Sequence, residues 1–275
     1  MLTVAESQVV LPMAGLVAEV GLPQAPLPET RQILLEAGPY AVRLAMTERD
    51  RVEAYRLRFA IFNLELHEGL MSAYADGLDK DQFDAVCEHL LVEEKETGTI
   101  IGTYRLQRGD VAGRNFGYYS EQEFGFAPYE GMRGQIVELG RACIHKEYRS
   151  PEVLHLLWRG IARYALANGA RYMMGCCSLT SQDPAMGRAV YASLKNWLVE
   201  PGLRTVPTTA YALPEWVGEI AEERAPKLLR AYLTLGAKIC GPPAIDREFG
   251  TIDFLTLLDL QGLHPRMAAK FLEGC

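Results

Sequence analysis

Residues 137–151 read Val-Glu-Leu-Gly-Arg-Ala-Cys-Ile-His-Lys-Glu-Tyr-Arg-Ser-Pro, an apolar strand-like run that carries a carboxylate and a guanidinium and leads straight into a helix start. Burying either charge unpaired costs several kcal/mol. Glu138 and Arg141 are therefore either paired with each other in the core or aimed into a cleft where a ligand completes them. In a regular strand, residues three apart face opposite sides of the sheet, and Gly140 between them is where a bulge would turn both heads the same way. The following helix is bounded by Ser150 as N-cap, Pro151 at the first helical position and Gly169 as a stop.

The chain has 275 residues, 49% of them apolar and 23% charged, the composition of an ordinary globular protein of one large or two small domains. It has no run of eighteen apolar residues, and Met1 to Val20 lacks the basic and apolar regions of a secretory signal, so a cytoplasmic protein is expected. Six cysteines show neither a C-x-x-C pair nor metal-ligand spacing with the five histidines, which points to reduced, buried thiols and no metal. The net charge of -7 argues against nucleic acid as a partner. Charge is nevertheless uneven. Residues 105–171 hold ten Lys/Arg against seven Asp/Glu, a local +3, whereas the rest carries eighteen against twenty-eight. A basic segment of this kind attracts an acidic or phosphate-bearing partner, although a solvated face produces the same imbalance.

Residues 1–39, with Pro23, Pro26, Pro28 and Pro39 and no sustained period, read as a flexible N-terminal arm that could make peripheral contact with the inner membrane; residues 40–275 form the folded domain. Tyr40 to Met46 alternates as a strand. Thr47 and Asp50 make a capping box for a helix to about Leu66 that carries Arg56 and Arg58. After the acidic stretch 76–88, His89 to Glu93 and Thr99 to Gln107 form a hairpin around Glu94-Lys95-Glu96-Thr97-Gly98. Arg105 lies in its second strand. The strand holding Glu138, the Ser150 helix and the strand Arg171 to Ser178 then imply a parallel pair with a crossover helix. A helix from Asp183-Pro184 to about Leu198, a proline-rich segment and a last helix and strands complete one α/β domain.

Asp81-Gln82-Phe83-Asp84, His89-Leu90-Leu91-Val92, Gly102-Thr103-Tyr104-Arg105-Leu106, Glu138-Leu139-Gly140-Arg141, Leu156-Leu157-Trp158 and Gly175-Cys176-Cys177-Ser178 together resemble the GNAT-fold, acyl-carrier-protein-dependent amino-acid N-acyltransferases. The best-known of these are the ornithine N-acyltransferases of ornithine-lipid synthesis. The likeness continues through Pro243-Ala244-Ile245-Asp246 and covers roughly residues 41–272. It implies a GNAT-like mixed sheet, with antiparallel N-terminal strands and a parallel pair around a splayed, bulged strand. By likeness to the related acyl-homoserine-lactone synthases, Arg58, Asp81, Asp84 and Arg105 would bind substrate, beside Glu138 and Arg141 at the reaction centre.

The function implied is transfer of a fatty acyl group, 3-hydroxylated or not, from acyl carrier protein to the α-amine of ornithine, giving lyso-ornithine lipid. The alternatives are a synthase of N-acyl amino acids with another acceptor such as tyrosine, and a non-catalytic carrier-binding module. No tightly bound cofactor is implied, the donor being acyl-phosphopantetheine on its carrier. Glu138 would act as base, through water, and a backbone N–H freed by the bulge around Gly140 to Cys143 would hold the thioester oxygen. The segment Arg149-Ser150-Pro151-Glu152-Val153-Leu154 lacks the two glycines with which coenzyme-A-binding relatives wrap a pyrophosphate. Arg149 and the Ser150-capped helix are accordingly expected to receive a single donor phosphate.

Overall fold

The computed structural model describes residues 32–215, 218 and 223–272. Nine strands, β1 (Ile33–Ala37), β2 (Tyr40–Leu44), β3 (Glu88–Glu94), β4 (Ile100–Arg108), β5 (Ile136–Ile144), β6 (Tyr172–Leu179), β7 (Lys238–Ile239), β8 (Ala244–Asp246) and β9 (Thr251–Asp259), form one sheet. Its order is β1-β2-β3-β4-β5-β6-β9-β7, with β8 also on β9. Among these nine strands every ladder is antiparallel except β5 with β6, as the crossover through the Ser150 helix requires. The helices are α1 (Glu48–Phe59), α2 (Gly109–Arg114), α3 (Ser120–Glu123), α4 (Pro151–Ala167), α5 (Pro184–Ser193), α6 (Lys227–Leu235) and α7 (Pro265–Phe271). Among the described residues no helix is long and apolar enough to cross a membrane.

The N-terminal boundary shifts. Ile33–Ala37, expected in the arm, pair with β2, and Gly38 turns between them at φ +52°. The prolines mask an apolar triplet, Ile33-Leu34-Leu35, of which Leu35 enters the core. The remainder of the expected arm, residues 1–31, lies outside the described residues.

Local signals start the helices where the sequence indicates, although α5 stops at Ser193, short of the expected Leu198. Thr47 and Asp50 form a reciprocal capping box on α1, which ends at Phe59 and widens into a π-turn over Ala60–Glu65. Ser150 Oγ accepts the Val153 N–H at the start of α4. The amphipathic α4 lays Val153, Leu156, Leu157 and Ile161 on β2 to β4, where Val42, Leu90 and Val92 meet them. Burial of each such side chain contributes about 1.5–3 kcal/mol. Gly160 lets the helix approach closely, since a Cβ there would stand 2.6 Å from Val42 Cγ1.

Two irregularities of β5 open the sheet. The parallel ladder to β6 is short, comprising Ile136–Tyr172, Val137–Met173 and Glu138–Met174. Beyond it the strands part, with Gly175 accommodating the Leu139 carbonyl, which a Cβ would meet at 2.3 Å. On the other edge, Thr103 pairs with Cys143 and Arg105 with Gly140, so Arg141 and Ala142 together oppose Tyr104. This is the expected bulge, with Arg141 left-handed at φ +52°, a conformation that costs a non-glycine residue roughly 1–2 kcal/mol.

Gly160→Ala should lower the melting temperature despite alanine's better helix propensity, because the clash with Val42, at about 1–3 kcal/mol, exceeds the ~1 kcal/mol that propensity returns. Gly160→Ala combined with Val42→Ala should recover part of that loss in the same thermal melts.

Candidate active site

A cavity of about 280 Å³ occupies the gap between β5 and β6. Its lining changes character across the sheet. On the α4 and α6 side it is walled by Trp158, Ile161, Leu228, Leu235 and Phe271. Tyr104 and Tyr232 also line it, their hydroxyls hydrogen-bonded to each other. On the opposite side, toward α3, Glu138, Asp246 and Asp253 face it with Tyr119 and Arg141.

Glu138 is buried, and its carboxylate is held by the segment that starts α3. Oε2 accepts the Tyr119 N–H at 2.7 Å; Oε1 accepts the Ser120 N–H at 2.9 Å and the Ser120 hydroxyl at 2.5 Å. Burial nevertheless raises its pKa above the usual carboxylate value, against the lowering effect of these bonds. Three accepted bonds use three of the roughly four lone-pair sites of a carboxylate and leave Oε2 able to take another proton donor.

Arg141 does not pair with Glu138. It joins a largely buried network of three arginines and three aspartates drawn from α1, the 79–84 loop, β4 and β5. Arg58 is completely buried, holds Asp79 at 2.8 Å through Nε and grips both oxygens of Asp84 at 2.8 and 3.0 Å. Arg105 donates to both oxygens of Asp81 at 2.6 and 2.7 Å, and Arg141 donates to Asp81 at 3.0 Å. Arg141 is also sandwiched over Phe249, 4.2 Å from the ring centroid, and Tyr119, at 5.2 Å. Burial raises the aspartate pKa values, but the arginines overcome it and hold both Asp81 and Asp84 below the usual range. His89, against Asp84, is driven down to about 4 by burial and stays neutral.

The expected substrate contacts therefore divide. Arg105 lines the cavity beside Glu138 and Arg141, whereas Arg58, Asp81 and Asp84 do not line it, the two aspartates holding the guanidiniums of Arg58, Arg105 and Arg141. Asp79 belongs to the same network and was not singled out; it lay unmarked in an acidic stretch. Arg149 departs further from expectation. Its guanidinium is clamped on Glu65 at 2.5 and 2.8 Å, and its Nε donates to the Ile144 carbonyl at 3.0 Å. Helix α4 also offers less to an anion than its cap suggests, because Pro151 has no N–H and the Val153 N–H is taken by Ser150. Cys143 is buried, its thiol pushed up to about 12, and the Nδ1 of His145 accepts the Glu147 N–H at 3.4 Å, so the two do not form a nucleophilic dyad.

Deeper than Glu138, Asp253 and Glu123 are almost wholly buried, and each has one oxygen without a hydrogen-bond partner, Oδ1 and Oε1 respectively. Burial pushes Asp253 up to about 6 and Glu123 well above the usual range, and repulsion from Asp253 and Asp246 adds to the shift of Glu123. Neither was chosen from sequence. Asp253 nonetheless carries the same signal as Glu138, a carboxylate within an apolar strand.

Residues 57–159 match the Acetyltransferase (GNAT) domain family. FeeM, an N-acyl amino acid synthase from uncultured soil microbes, shares the fold with a TM-score of 0.51 at 12% identity over 82% of this chain and 93% of that one. The L-ornithine N(alpha)-acyltransferase of Agrobacterium fabrum is 32% identical over 256 residues, 85% of each protein, and that of Rhodobacter capsulatus is 29% identical over 86% of this chain and 96% of the relative. The chain belongs to the L-ornithine N(alpha)-acyltransferase family. It is an acyltransferase with the GNAT fold, and its cavity joins an apolar half to a carboxylate-lined half where two parallel strands part.

The two groups of buried carboxylates should answer amide substitution with opposite signs. Asp84→Asn leaves Arg58 short of a partner and should cost about 3–5 kcal/mol at pH 7 in urea denaturation. Because the native pKa of Asp84 is depressed, its stabilisation is present above the unfolded value, ~3.9, and fades as pH falls below it. The pKa of Asp253 is raised, so wild-type stability declines as pH climbs from ~3.9 to about 6 and the deficit persists above. Asp253→Asn should therefore stabilise the enzyme by about 1–3 kcal/mol at pH 7, and the gain should vanish near pH 4.

Proposed function

We propose that this acyltransferase moves a fatty acyl group, 3-hydroxylated or not, from acyl carrier protein to the α-amine of ornithine, releasing lyso-ornithine lipid. The observation that carries the reading is the two-sided cavity: one continuous space has an apolar wall for a chain and, across the parted strands, a buried carboxylate and a guanidinium for an amino acid. The names of the relatives at about 30% identity support ornithine as acceptor.

In this reading the acyl chain lies along Trp158, Ile161 and Leu235, and the thioester carbonyl meets the edge of β5 left open where the ladder to β6 has ended. Arg141 positions the acceptor carboxylate. Glu138, made more basic by burial, takes the ammonium proton through water at the free site of Oε2, and the amine lone pair attacks the carbonyl carbon. Collapse of the tetrahedral intermediate breaks the C–S bond, and the second proton of the attacking nitrogen passes, directly or through solvent, to the departing phosphopantetheine thiolate, leaving the amide and the free thiol. A carrier-borne donor fits the α4 start, which lacks the glycines that wrap a pyrophosphate and has few uncommitted N–H groups.

Glu138→Gln should leave a folded enzyme whose turnover falls by roughly 10²- to 10⁴-fold. A rate close to wild type in a variant with native circular dichroism would remove Glu138 from the base role. Acyl carrier protein thioesters should surpass the matched acyl-coenzyme A in kcat/KM at low salt, and the margin should narrow as salt shortens the Debye length to ~10 Å at 0.1 M. Equal efficiency at low salt would point to coenzyme A.

A further inference from the structure

The carboxylates of the cavity do not balance its cations. Arg105 and Arg141, the two guanidiniums in the lining, are already matched by Asp79, Asp81 and Asp84, together with Arg58. Glu68, Glu138, Asp246 and Asp253 remain in the lining, with Glu123 beside them, and none of the five has an ion-pair partner among the described residues. Asp246 is satisfied in other ways: Oδ2 accepts the Tyr119 hydroxyl at 2.8 Å, and Oδ1 accepts the Glu248 and Phe249 N–H groups, both at 2.9 Å. Asp253 and Glu123 are not, since each keeps a buried oxygen with no donor. Cys176, in the lining between them, donates its S–H to the other oxygen of Glu123 at 3.6 Å. One ligand atom from each of Glu123, Cys176 and Asp253 lies within 4.8 Å of the others.

We propose that Asp253 and Glu123 form the acceptor's side-chain subsite and select an α-amino acid whose side chain ends in an ammonium group. This rests on the reading of the enzyme as an amino-acid N-acyltransferase and names the residues that read the acceptor. The geometry suits a compact tetrahedral donor. An ammonium nitrogen ~2.8 Å from two carboxylate oxygens spans an oxygen–oxygen gap of up to roughly 4.6 Å, which the spacing of the cluster allows. An ammonium also supplies the missing charge at the place where burial makes a carboxylate most costly, so the site binds a cation more strongly than a neutral isostere. A divalent metal suits it less well, because Cys176 would have to ionise, and burial next to Glu123 raises its thiol pKa far above the ordinary value. The position agrees with the chemistry. Asp253 lies on the α3 face with Glu138, so an amino acid whose α-amine is at Glu138 directs its side chain within that face.

Acceptor kinetics with ornithine and with norvaline, which has the same carbon chain without the terminal amine, isolate the subsite. Wild type should favour ornithine in kcat/KM. Asp253→Asn, and independently Glu123→Gln, should raise the ornithine KM by roughly 10- to 100-fold, leave the donor KM unchanged and leave norvaline no worse than in wild type. Ornithine should also raise the melting temperature of the wild-type full chain more than norvaline does, and the difference should disappear in Asp253→Asn. Equal losses for both acceptors, or equal use of both by wild type, would overturn the subsite while leaving N-acyl transfer intact. Absence of transfer to any amino acid would instead remove the proposed function, and the ornithine melting shift would then decide the subsite by itself. Stabilisation by zinc ion alone, lost in Asp253→Asn and without response to ornithine, would make the cluster a metal site and also overturn it.

Discussion

The structure depends on the pairing of Arg58, Arg105 and Arg141 with Asp79, Asp81 and Asp84 in a largely buried region. Each of these charges would be strongly destabilising alone. Together they balance, and the bidentate grip of Arg58 on Asp84 and the double contact of Arg105 with Asp81 offset much of the desolvation. Since the partners come from α1, the 79–84 loop, β4 and β5, the network fixes where the first helix sits on the sheet. It also holds Arg141 in a left-handed conformation that a strand would otherwise reject. The bulge follows from that anchorage, and with the short β5–β6 ladder it gives the cavity its opening.

Beside this balanced network lies an unbalanced one. Glu123, Asp253 and Glu138 are all buried, yet none of them forms an ion pair with an arginine among the described residues, and all three have pKa values raised by burial. Arg43 shows the alternative outcome. It too is buried in a strand, but Glu93 and Asp50 hold it at 2.6 and 2.7 Å, and it takes no part in the cavity. Ion pairing, more than burial, separates Arg43 and the arginine–aspartate network from these carboxylates.

Much of this was legible in the chain. A carboxylate and a guanidinium in one apolar strand marked β5, the strand that borders the cavity, and Gly140 marked the neighbourhood of its bulge. Hydrophobic periodicity and side-chain caps act within a few residues, so the Thr47 box, the Ser150 cap and the β3–β4 turn formed where the sequence put them. The same reasoning applied to Thr251–Asp259 would have drawn out Asp253, whose neighbours Ile252, Phe254 and Leu255 are all apolar. Asp79 and Glu123 carried no comparable signal, because acidic residues in polar loops are ordinarily solvated.

By itself the sequence determined the elements, their alternation and the presence of buried charge, since these follow from local propensity and from the cost of desolvation. Which charges face which was decided by the tertiary structure alone. Arg149 reads from sequence as an anion ligand at a helix start and becomes a partner of Glu65, 84 positions away. Glu138 and Arg141, three residues apart, pair with Ser120 and Asp81 and not with each other. Asp253 and Glu123, 130 positions apart, meet around Cys176 with one oxygen each unpaired. Electrostatic complementarity depends on distance in space, and only the closing of the sheet sets that distance.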